Sequence, residues 1–310
     1  MVNKIVRILI VIFLVMGING CKGLETSSQS SVEALTTTAT RQGSINQTGS
    51  DQEPKPAIDS VLKESREPWN KSSNSQNFSD LPDLPDLHKR QPIPILYYHS
   101  VMLEAENEVR MPPDQFEAQM NFLRDNGYQS ITLNQLYRAF YQGASLPPKP
   151  FVITFDDGYL DNYTTAFPIL RRNGFTATVF MVSSYIGGEN FLSWPQLKEL
   201  VANGWEIEGH TDTHPYLSKI DGISLLHELK SSKELLEHRL GKTVDFLAYP
   251  NGDFDSTVLQ AVKDTGYLMA FTTERGWANP NSDAWQIQRI YCYANMGQNE
   301  FSRRLQNWNY

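Results

Sequence analysis

Two short stretches carry most of the chemistry available to this 310-residue chain. Phe151-Val152-Ile153-Thr154-Phe155 is an apolar run of strand formers that delivers two adjacent carboxylates, Asp156 and Asp157, just ahead of Gly158. Neighbouring side chains on a strand point to opposite faces, so a turn at the glycine must bring both acids to one pocket. One carboxylate can then hold a cation while the other acts as a base. Trp205-Glu206-Ile207-Glu208-Gly209 is a second strand-like run, and it ends in His210-Thr211-Asp212-Thr213-His214. Imidazoles four residues apart share a helical face or converge from a short turn, at a separation that suits a metal. Two histidines and one aspartate form a three-ligand site with positions left open. Such a set takes Zn²⁺, Co²⁺, Ni²⁺ or Fe²⁺.

Both stretches need a scaffold that ends strands side by side. Strand-forming runs recur at residues 93–98, 151–155, 178–182, 206–208, 244–248, 268–271 and 287–290. Amphipathic stretches lie between them. Phe116, Met120 and Leu123 share one helical face, and that helix stops at Asn126-Gly127. Helices are also expected at 133–141 behind a Thr132 cap, 194–203 behind Ser193, 225–240 and 257–264. Such alternation predicts a mainly parallel sheet covered by helices, with active residues at the C-terminal ends of strands. About seven strands are enough for a barrel.

Thr154-Phe155-Asp156-Asp157-Gly158 together with His210-Thr211-x-x-His214 resembles the polysaccharide deacetylase family, the NodB-homology or family 4 carbohydrate esterases, over about residues 93–300. The resemblance implies an α/β fold, a distorted (β/α) barrel forming one catalytic domain. It also implies removal of acetyl groups, usually N-acetyl from amino-sugar polymers, with one divalent metal ion. Asp156 then becomes the general base, and Asp157, His210 and His214 the metal ligands. An amide is a poor electrophile and its amine a poor leaving group, so an acid is required as well. His99 is the candidate, because it ends a strand, whereas His227 and His238 fall on the polar face of a helix and His88 lies in the N-terminal segment. In most of the family the acid histidine follows the metal motif. Its position ahead of that motif resembles the circularly permuted branch acting on poly-β-1,6-N-acetylglucosamine of the biofilm matrix.

The family's Arg-x-Pro-Tyr motif is replaced by Ala248-Tyr249-Pro250-Asn251. Arg289 is the candidate to stand in for the missing arginine and orient the base, and the Asn251 backbone N–H to serve as oxyanion donor. Tyr249 and Tyr159 are candidates to line the substrate pocket. So, in smaller part, are Tyr185, Trp194, Tyr216, Trp277 and Trp285. The same metal and base would serve a peptidoglycan or chitooligosaccharide deacetylase or a xylan esterase. A surface glycan-binding module with a decayed site is the reading from another class.

The N-terminal part is different material. Lys4 and Arg7 precede the apolar run Ile8 to Met16, and Ile18-Asn19-Gly20-Cys21 follows. Residues 1–20 read as a lipoprotein signal peptide with Cys21 as the acylated residue. Residues 21–92 hold too few large apolar side chains to fold and read as a flexible tether, leaving 93–310 as the catalytic domain. The expected place is therefore the cell envelope, on a membrane through the lipid anchor. A formal net charge of −8 excludes a chain that grips nucleic acid through phosphates. With only Cys21 and Cys292, no disulfide framework or multi-cysteine zinc site is available.

Overall fold

The computed structural model describes residues 91–308 and Tyr310; the signal peptide, Cys21 and residues 22–90 of the tether lie outside the described residues. Eight strands occur there: β1 (Ile95–Tyr98), β2 (Gln129–Ser130), β3 (Pro150–Phe155), β4 (Thr178–Met181), β5 (Glu206–Gly209), β6 (Phe246–Ala248), β7 (Met269–Arg275) and β8 (Ile287–Tyr291). All their pairings are parallel. β1 pairs with β3, Ile95 opposite Val152 through Tyr98 opposite Phe155, and with β8 on its other side. The remaining neighbours run in chain order from β3 to β8, so seven strands close into a barrel. β2 joins only the start of β3, outside the closed ring. This is the distorted (β/α) barrel that the family resemblance implies.

The two faces of each strand separate into two cores, as a period of two requires. Ile95, Val152, Phe180, Phe246, Ala248, Met269, Phe271 and Ile287 pack together inside the barrel. Leu96, Ile153, Val179, Ile207, Leu247, Ala270 and Ile290 pack outward against helices. Those helices are α1 (Pro113–Asp125), α2 (Leu133–Tyr141), α3 (Phe167–Asn173), α4 (Trp194–Ala202), α5 (Gly222–Leu240), α6 (Ser256–Asp264) and α7 (Gly297–Arg304). α2 is the exception among them. Its Leu133, Leu136 and Phe140 join the interior cluster and plug the end where the strands begin. Thr132 and Gln135 cap it reciprocally.

Several boundaries depart from the sequence pattern for local reasons. β6 begins at Phe246 rather than 244, because the Asp245 and Phe246 N–H groups donate to Glu208 Oε2 instead of to a neighbouring strand. α5 starts at Gly222, where Asp221 accepts the Ile223 and Ser224 N–H groups. α3 follows a π-helical turn at Asn162–Ala166, closed by Phe167 N–H to the Asn162 carbonyl. β2, the π turn, α3 and α7 were not anticipated from the sequence.

Candidate active site

The strand ends place the chemistry at the mouth opposite α2. Asp156 leaves β3 with its N–H donating to Tyr98 O at 2.9 Å, so the β1–β3 ladder runs up to the base itself. From the last strand, Arg289 reaches across the interior. Its Nη1 and Nη2 each lie 2.8 Å from an Asp156 carboxylate oxygen, a bidentate pair that fixes both position and plane. The guanidinium is fully buried. Its Nε donates to Thr272 O at 3.1 Å, Nη1 also to Thr154 Oγ1 at 3.2 Å, and its face lies 4.2 Å over the Tyr97 ring. Burial alone would raise the Asp156 carboxyl, but Arg289 outweighs it and holds the group below the ordinary carboxylate value. The base is therefore ionised and cannot rotate away.

Asp157, His210 and His214 converge beside it. Their candidate ligand atoms all lie within 4.8 Å of one another, and each histidine Nε2 is 3.4 Å from Asp157 Oδ1. His210 Nδ1 sits 2.7 Å from the Ala248 carbonyl, which can only accept. The proton is thereby held on Nδ1 and the Nε2 lone pair faces the other two ligands. This donor set fits one divalent cation with open positions. Burial opposes charge on Asp157, yet the adjacent imidazoles hold its carboxyl well below the usual range, and burial lowers His214.

The backbone here is bent to its task. Asp157, Thr211, His214 and Asn251 have positive φ of 71°, 65°, 64° and 57°. A non-glycine residue in this region is uncommon and costs on the order of 1–3 kcal/mol. At Gly158, φ 82°, the cost is avoided, and a Cβ there would displace the end of the Met181 side chain. The His210–His214 turn is held from α5, where Glu228 accepts the Asp212 N–H, the Thr213 N–H and the Thr213 hydroxyl at 2.9, 2.8 and 2.6 Å. Ser183 adds a bond to Asp212 at 2.5 Å.

His99 lies one residue beyond the β1 ladder, next to Asp156. Its ring meets Tyr97 and Tyr291 edge-on at centroid distances of 5.8 and 6.1 Å, and among the described residues its Nδ1 has no hydrogen-bond partner. Burial lowers its pKa, against the pull of Asp156 and Asp157. Asn251 sits on the exposed turn leaving β6, just after the Ala248 carbonyl that holds His210.

Tyr249 requires a correction. It is 1% exposed, its hydroxyl donates to Trp285 O at 2.9 Å, and its ring stacks on Phe254. It faces the outer core, because the preceding residue, Ala248, takes the inward position. Tyr159 does sit at the site. Burial and the neighbouring Asp157 raise its phenol to about 12, Arg110 covers its ring at 4.3 Å, and Phe191 stacks on it at 5.2 Å. Trp277 and Trp285 spend their N–H groups on core carbonyls, and Trp194 packs beneath Arg239. Tyr216 is exposed.

Fold and site together define a (β/α) barrel whose mouth sets an oriented carboxylate beside three side chains that could hold a cation. Residues 143–270 match the family model described as polysaccharide deacetylase. The chain is 34% identical over 219 residues to YxkH of Bacillus subtilis (strain 168), named for the same family; the match covers 71% of this chain and 78% of that one. This chain belongs to the polysaccharide deacetylase family. It is also 28% identical over 227 residues to the poly-β-1,6-N-acetyl-D-glucosamine N-deacetylase of Staphylococcus aureus (strain MSSA476), covering 69% of this chain and 76% of that one. Among solved structures it resembles the Streptococcus pyogenes deacetylase PplD in complex with acetate, with TM-score 0.67 and 28% identity, over 70% of this chain and all of the other.

Proposed function

We propose that this chain is a metal-dependent hydrolase that removes N-acetyl groups from an amino-sugar polysaccharide, and that the polymer is poly-β-1,6-N-acetylglucosamine. The observation that carries the activity is the bidentate Arg289–Asp156 pair beside the Asp157, His210 and His214 cluster. Bound there, one divalent ion would supply Lewis-acid polarisation of the acetyl carbonyl and an acidified water. Asp156, ionised and fixed in plane, would take the proton of the attacking water. The Asn251 N–H would stabilise the developing oxyanion. His99 would deliver a proton to the departing nitrogen, without which an amine does not leave. Tyr159 would flank the sugar at the rim.

Three observations favour the β-1,6 polymer. His99 precedes the metal motif in the chain, a relative of that named specificity aligns over most of both chains, and the described domain is acidic. Residues 91–310 carry 17 Lys plus Arg against 25 Asp plus Glu, which suits a chain that becomes cationic as acetyl groups leave it. Acetate release should be measured across β-1,6 and β-1,4 N-acetylglucosamine oligomers, with and without a chelator. Turnover of the β-1,4 oligomers equal to or above that of the β-1,6 series would remove the substrate assignment and leave the deacetylase chemistry standing. Activity indifferent to chelator would remove the metal; its absence on every acetylated glycan would favour the glycan-binding module. We further propose a lipid anchor at Cys21 on the cell envelope. Mass spectrometry of the N-terminal peptide tests it, and an unmodified Cys21 would end it.

A further inference from the structure

A catalytic histidine is usually aimed by a bond to its second ring nitrogen. Among the described residues nothing bonds to His99 Nδ1, and the paired residues of β1 and β3 end at Tyr98 opposite Phe155. Ser100 is bridged through its backbone to Val109 and Met111, and the remaining anchors of this segment come from the turn after the Asp156-Asp157 pair. Asn162, fully buried, donates from Nδ2 to the His99 carbonyl at 2.8 Å. Asp161 accepts the Val101 N–H at 2.7 Å and the Ser100 hydroxyl at 2.5 Å, and Arg110 donates to that hydroxyl from the other side at 2.8 Å. Three consecutive residues, His99 to Val101, are thus held by two consecutive residues at the start of the π turn. Such turns are rare and concentrate at functional sites.

We propose that Asp161 and Asn162 are positioning residues for His99, a clamp that sets the distance between the proton donor and the Asp156-Asp157 pair that follows β3. The proposal rests on the reading of His99 as the acid. The clamp acts on the backbone rather than on the ring, so it leaves the imidazole free to exchange its proton while denying it translation. Because the clamp and the Asp156-Asp157 pair belong to one segment, acid and base are registered to each other within a few residues of chain.

The test uses full-length, metal-loaded protein and two substrates. One is an N-acetylglucosamine oligomer, whose amine leaves only when protonated; the other is 4-nitrophenyl acetate, whose phenolate needs no proton. Asn162→Leu should lower kcat on the oligomer by about 10- to 100-fold, the scale expected for misplacing a catalytic group by about 1 Å. It should leave metal content and ester turnover within about threefold of wild type, whereas Asp156→Asn should lose both activities. The double variant His99→Ala/Asn162→Leu should be no slower than His99→Ala alone, because the two act as one unit. Additive losses, or an equal fall on the ester with loss of metal, would reduce Asn162 to a structural role and overturn the clamp. An unchanged His99→Ala would overturn the acid assignment and the clamp with it. Should Asn162→Leu not fold, Asp161→Ala reads the same cycle from the less buried side.

Discussion

Acidic side chains are buried at both ends of this barrel, and they do opposite things. At the mouth, Asp156 and Asp157 are met by a guanidinium and two imidazoles, and their carboxyls are held below the ordinary range. At the plugged end, Glu206 and Glu208 on β5 are met mainly by backbone N–H groups. Glu206 accepts Leu133 and Asn134 at the start of α2, at 2.7 and 3.1 Å, as well as the Thr178 hydroxyl. Glu208 accepts Asp245 and Phe246, with Lys242 Nζ at 3.2 Å, and burial pushes its carboxyl up to about 8. The difference lies in the partner. A buried guanidinium or a pair of imidazoles keeps a carboxylate ionised and holds it facing the mouth; backbone donors consume it as a structural joint.

That contrast predicts activity loss without unfolding at the mouth, and unfolding without loss of chemistry at the plug. The largest effect is expected for Asp157→Ala or His210→Ala, each abolishing both metal retention and acetate release. Stoichiometric metal in His210→Ala/His214→Ala would refute the site. Next, Asp156→Asn and His99→Ala should lower kcat on N-acetyl substrates by about 10²- to 10⁴-fold with metal content intact. Glu228→Ala, which frees the histidine turn without touching a ligand, should weaken metal affinity by about 10- to 100-fold in a chelator competition. Glu206→Ala should lower stability in urea by about 1–3 kcal/mol while activity per folded molecule is kept, since it strands two helix N–H groups. A large kcat loss there would erase the distinction between the two ends.

A further expectation concerns pH. The Glu208 carboxyl moves from an ordinary 4.5 to about 8 on folding. Between those values the folded state binds the extra proton, so stability should fall as pH rises from about 4.5 to 8. Glu208→Gln should flatten that slope in urea melts across the range. A slope of the other sign would mean that Lys242 and the N–H donors outweigh burial.

The mouth was far more legible in the sequence than the parts that hold it. Asp156, Asp157, His210 and His214 stand in two contiguous motifs, each at the end of a run whose apolar pattern already announces a strand. Arg289 could be singled out only through the arginine missing before Tyr249. Glu228, Asp161 and Asn162 left no local trace, because a clamp is defined by its partners, and Asn162 lies 63 residues from His99. Residue types do not encode the spacing of a π turn, and a two-residue strand such as β2 has no period to read. Tyr249 misled because a residue following a strand was counted toward the pocket, when the alternation of β6 directs it to the outer core.

The seam between β1 and β8 bears on how the molecule is made. β8 is the last of the strands to be synthesised, and it brings Arg289. Asp157, His210 and His214 all precede it, on β3 and β5 segments that are already neighbours through β4. A nascent chain halted before β8 would hold the ligands for a cation but no guanidinium for Asp156, whose burial without a partner is costly. On the proposed reading, such a chain would carry the candidate cation ligands before its base had a partner, and the docking of one late strand would close the barrel and supply the guanidinium in the same event.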